Sequence, residues 1–94
     1  MTHVDTRQQA RESLFLLAML KVDGDTRAHR VKVRNLSAAG MMAEGDMQAL
    51  PGVLVSVELR NVGWVKGVVA WKQDNRFGIA FAEEIDHKSV MEKP

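Results

Sequence analysis

An all-β fold, a six-stranded antiparallel β-barrel with a short C-terminal helical turn, is predicted by three features of the 94-residue sequence. Val53, Val55, Val57 and Leu59 share one parity while Ser56, Glu58 and Arg60 share the other, the period of a half-buried strand. Asn61-Val62-Gly63 then supplies turn chemistry, and an apolar-rich run from Trp64 to Trp71 returns as the second arm of a hairpin. After Asp74-Asn75, Phe77, Ile79 and Phe81 alternate with Arg76, Gly78 and Ala80, which adds a third strand and completes a meander.

The upstream elements follow in chain order. Leu14 to Val22 carries helix-favouring Leu, Ala and Met, but its length and the Asp23-Gly24-Asp25 turn after it argue for a strand. Val31 and Val33 oppose Arg30, Lys32 and Arg34, so the next strand is amphipathic with three cations on one side. Gly40 to Glu44 forms a short strand, and the segment from Gly45 to Gly52, with Pro51, connects it to Val53. Six such strands close naturally into a barrel, which removes exposed sheet edges. Beyond Glu84, Asp86 is placed to cap a helical turn that Val90 and Met91 pack back onto the barrel.

Composition bounds the function. At 46% hydrophobic content the chain supports one core, so a single domain, 1–94, is expected: a polar arm at 1–12, the barrel at 13–82 and a tail at 83–94. The absence of cysteine excludes disulfides, thiolate metal sites and cysteine nucleophiles. Thirteen basic against twelve acidic residues leave a net charge of +1, too little for a general nucleic-acid binder, so any anion site must be local. The apolar run from Leu14 to Leu20 is far short of the roughly 20 residues of a membrane span, and Met1 to Arg11 lacks a secretory apolar region, so a cytoplasmic location is the expectation. His3, His29 and His87 are scattered without carboxylates at metal or triad spacing, and there is no Gly-rich phosphate loop; no enzyme, metal or cofactor is expected.

Two polar clusters stand out. Arg7 and Arg11, in R-Q-Q-A-R, lie about 13 Å apart if extended and about 6 Å apart on a helical turn, and either spacing brackets a compact anion. Guanidinium grips phosphate oxygens in a bidentate fork and also stacks on purines. Taken alone, the pair is better accounted for as a solvated arm with surface arginines, so a binding role needs a second cluster beside it. In Asn35-Leu36-Ser37-Ala38-Ala39-Gly40 a tight turn, with Gly40 at positive φ, accounts for the composition. The same layout presents Asn35 and Ser37 outward around an inward Leu36, where a carboxamide and a hydroxyl can meet a guanine edge or a phosphate.

R-Q-Q-A-R ahead of the first strand and N-L-S-A-A-G after the second, followed by G-V-V-A-W and F-G-I-A-F strands, resemble the paired signature of PilZ domains over nearly the whole chain, from Arg7 to about Ala82. The resemblance implies a six-stranded barrel that binds the bacterial second messenger cyclic di-GMP as a receptor. It implies that Arg7 and Arg11 hold phosphates and stack on guanine, that Asn35 and Ser37 contact a base or phosphate, and that Gly40 permits the turn. Arg34 is placed to add a contact, or else remains a solvated strand cation. Trp71 shares the parity of Val65, Gly67 and Val69 and either fills the core or lines the guanine side of the site. Asn35 stands where the family more often has Asp, which removes a carboxylate acceptor for guanine N–H groups. The receptor is expected to order its arm at 1–12 on ligand binding and so change its contacts with a downstream protein. Two alternatives are a ligand-free interaction module of the same fold and a single-stranded nucleic-acid barrel using Arg30, Lys32 and Arg34. The second is disfavoured by the supply of only two Trp and three Phe for base stacking.

Overall fold

A computed structural model describes residues 16–91; Arg7, Arg11 and the arm at 1–12, residues 13–15 and residues 92–94 lie outside the described residues. The strands are β1 (Leu16–Val22), β2 (Ala28–Leu36), β3 (Gly40–Glu44), β4 (Leu54–Leu59), β5 (Gly63–Gln73) and β6 (Arg76–Phe81), followed by a helix, α1 (His87–Met91). They close an antiparallel barrel in the order β1-β2-β3-β6-β5-β4, as the sequence pattern predicts.

Turn chemistry sets the hairpins. Asn61 (φ 68°) and Asp74 (φ 55°) take the left-handed conformation that Asn and Asp tolerate, at the β4–β5 and β5–β6 turns. Between β1 and β2, Asp25 Oδ1 accepts from the Arg27 amide at 3.0 Å. The β3–β4 connection crosses one end of the barrel, where Ala49 is fully buried. At the other end Val90 of α1 is buried, and Arg60 ties the helix down by donating from Nε (3.2 Å) and Nη2 (2.8 Å) to the Val90 carbonyl. Asn61 Nδ2 adds a bond to the Ser89 carbonyl at 2.8 Å.

Inward positions of all six strands fill the lumen. Leu20, Val31, Val33, Val57, Val69 and Phe77 are sealed from solvent, and no polar side chain is buried among the described residues. The interior is therefore packed core, and a ligand has to be met on the outer wall or at an end.

Candidate functional site

Two β-bulges decide which residues reach that wall. Strict alternation along β2 would carry Asn35 inward with Val31 and Val33, and Leu36 outward. Instead Val33 pairs with Ala43 and Asn35 with Met42, so Arg34 is an extra residue on β2. Arg34 and Asn35 both face solvent, and Leu36 turns into the core at 8% exposure. The same device acts on β5, where Val69 pairs with Ile79 but Trp71 pairs with Gly78. Ala70 is the extra residue, Val69 stays buried, and Trp71 swings out to 41% exposure. The core reading of Trp71, which followed from its parity with Val69, is corrected by this bulge.

Both bulges sit at one level of the barrel. Through successive register pairs Asn35 faces Met42, Met42 faces Gly78 and Gly78 faces Trp71, a row across β2, β3, β6 and β5 on the outer wall. Adjacent strands lie about 4.8 Å apart, so the row spans roughly 14 Å. The Trp71 indole lies flat on Gly78: a Cβ there would sit 2.6 Å from Cε2 and 2.7 Å from Cδ1 of the ring, and closer still to Nε1. Gly78 is buried beneath the ring as a result.

One outward step along the strands lies a row of charge, Lys32, Glu44 and Arg76. Glu44 Oε1 is 3.6 Å from Arg34 Nε, and its Oε2 accepts from Asn75 Nδ2 at 3.3 Å. Of the three cations near Glu44, Lys32, Arg34 and Arg76, only Arg34 lies within ion-pair distance of it among the described residues, and their excess over the one carboxylate of the row leaves a local positive field there despite the near-neutral chain.

The turn from Ser37 to Gly40 is fixed by its own bonds. Ser37 Oγ accepts from the amides of Ala39 and Gly40 and donates to the Gly40 carbonyl, each at 3.3 Å, while the Ser37 amide donates to Gly40 O at 2.9 Å. The hydroxyl's proton and both its lone pairs are engaged, so Ser37 holds the turn. Asn35 Oδ1 accepts from the Leu36 amide at 2.9 Å, which fixes the carboxamide with Nδ2 as its free end among the described residues. Gly40 is not among the residues at positive φ. It is needed because a Cβ would collide with the carbonyl oxygen of Ile79 on β6. The Ala39 and Ala38 carbonyls accept from Phe81 N (2.8 Å) and Ile85 N (3.0 Å), which ties the turn to the chain leading into α1.

The structure thus brings together Asn35 and Trp71 in one row, with Arg34, Ser37 and Gly40 beside its Asn35 end; Arg7 and Arg11 lie outside the described residues. Met42, Gly78 and the cations Lys32 and Arg76 join the site without having been singled out for it. The skipped spacing Val33 to Leu36 was the signal for the first bulge. No apolar residue resumes the inward parity after Ala70, so the second left no such mark. A groove of about 410 Å³ between β1 and the β4–β5 turn, with Leu17, Arg30 and Val62 on its walls, lies away from this row.

A closed six-stranded barrel with a packed core offers a ligand its outer wall and its ends, and the row from Asn35 to Trp71 puts polar and aromatic groups on that wall. The chain belongs to the PilZ family: the family model of the PilZ domain matches residues 5–92. No curated protein and no solved structure matches it. Membership implies a receptor module for cyclic di-GMP, in a family of binding domains not known as enzymes. Among the described residues no helix is long and apolar enough to cross a membrane.

Proposed function

We propose that the chain binds cyclic di-GMP on the Asn35–Trp71 row and signals by ordering residues 1–12 over it. The observation that carries this reading is the pair of level bulges, which turn outward an amide and an indole that regular strands would have pointed inward. The indole offers a π-face for a guanine, worth about 1–3 kcal/mol per stacked base. Asn35 offers N–H donors from Nδ2, which match the O6 and N7 acceptors of guanine's Hoogsteen edge. The cations around Glu44 favour the two phosphodiester charges, and Arg7 and Arg11 close on the ligand from the arm with charge-assisted bonds of about 1.5–3 kcal/mol each.

Ser37 and Gly40 act in this reading by holding the turn that positions Asn35. Output passes two ways: through the ordered arm, and through the Ala38–Ile85 bond toward α1, so that a downstream protein reading either segment senses the ligand. Isothermal titration with cyclic di-GMP, beside GTP and GMP, tests the reading. Binding of the cyclic dinucleotide alone, lost in Arg7→Ala and Arg11→Ala, is expected; no binding by the wild-type chain at tens of micromolar would overturn it.

A further inference from the structure

We infer that Met42 is a contact residue for the bound base and that Gly78 is the positioning residue that makes the contact possible; the inference rests on the ligand reading above. Met42 is the outward member of β3 between Met41 (5% exposed) and Ala43 (0%), and it is half-exposed. It stands in the row between Asn35 and Gly78. Because Gly78 has no side chain, the Trp71 indole lies across β6 at this level, and the outward residue at the next position of the row, on β3, is Met42. Any larger residue at position 78 would lift the ring and put a wall between the two.

The row is then a continuous platform: indole, thioether, carboxamide. A planar purine stacked on the indole and reaching the Asn35 amide with its edge has to pass over Met42. A polarizable, unbranched thioether suits that place, since sulfur makes favourable contacts with aromatic rings and the side chain adapts to a ligand's outline. No core demand places Met here, because the position faces away from the barrel interior.

The six methionines make the test direct. The chain is labelled with ¹³C-methyl methionine, the Met42 signal is assigned by its loss in Met42→Leu, and cyclic di-GMP is titrated. The ring current of the base should move the Met42 methyl further than that of Met19 or Met47. Met42→Gln should weaken binding roughly 2- to 10-fold, while Met42→Leu stays within about twofold of wild type. In Gly78→Ala the methyl shift at saturation should shrink, a readout that a merely structural role would leave unchanged. The remaining methyl signals report whether each variant is folded. Wild-type binding with a stationary Met42 methyl, or with full affinity in Met42→Gln, overturns the inference and leaves the ligand reading intact. Absence of wild-type binding by calorimetry overturns both.

Discussion

Replacing Gly40 with Ala should destabilise the barrel for a reason opposite to the one a glycine-terminated turn suggests. Position 40 is not strained in φ; its added Cβ would overlap the Ile79 carbonyl oxygen well inside van der Waals contact and would meet the Ala80 Cα at 3.5 Å. The obstacle is backbone of the neighbouring strand and not a flexible side chain, so β3 and β6 must separate locally. The bonds at risk are Phe81 N to Ala39 O and the Ser37–Gly40 closure, at about 0.5–1.5 kcal/mol each, together with the packing of Met41 on Ile79. A net loss of about 2–3 kcal/mol follows after the small gain from a stiffer unfolded chain. For a domain of this size that is a fall in Tm of roughly 8–24 °C, measured by circular dichroism. Gly40→Asn separates the two explanations. A left-handed turn would tolerate Asn better than Ala, whereas crowding makes Asn at least as damaging. Gly24→Ala is the control, at φ +89° with nothing within 4 Å of the added Cβ, and should cost only about 1 kcal/mol. Gly40→Ala within about 0.5 kcal/mol of wild type, or rescue by Asn, would refute the reasoning.

Other outcomes follow from the packing and the clasp. Phe77 is fully buried, so Phe77→Ala should cost about 3–5 kcal/mol in urea unfolding and leave the domain marginal. Arg60→Ala removes both guanidinium bonds to the Val90 carbonyl and should lower stability by about 1–2 kcal/mol, with Arg60→Lys intermediate in the same assay. The Asp86 carboxyl is held below its usual 3.8 by the Ser89 hydroxyl, which donates to Oδ2 at 2.9 Å. A carboxyl depressed in the folded state contributes stability that is complete above about pH 3.8 and is lost as pH falls through the lowered value. Side-chain ¹³C titration of Asp86 should show the lowered midpoint in wild type and its return toward 3.8 in Ser89→Ala.

The barrel was legible because its strands alternate. Val55, Val57 and Leu59, and likewise Phe77 and Ile79, hold the inward parity that the sequence displays, and Asn61 and Asp74 mark the turns between them. The site was legible only in part, because a bulge shifts parity by one residue without a residue type of its own. The Val33-to-Leu36 spacing betrays the first. At the second, the inward position after the bulge is Lys72, on the barrel rim, so no hydrophobic residue signals the change and the sequence leaves Trp71 open between core and site. Gly78 was hidden for a related reason: its need is set by the indole of a residue on another strand. Ser37 shows the reverse case, a motif residue whose polarity suggests ligand contact while its hydroxyl is engaged within the turn.

The claim that the Asn35–Trp71 row receives the ligand is tested most directly by the two indole N–H signals in a ¹H–¹⁵N spectrum. Trp64 is 52% exposed and sits in a different outer row, opposite Glu58, so it serves as an internal control. Addition of saturating cyclic di-GMP should shift the Trp71 indole signal strongly and leave that of Trp64 in place. Movement of Trp64 alone, or of neither while calorimetry registers binding, would contradict the account.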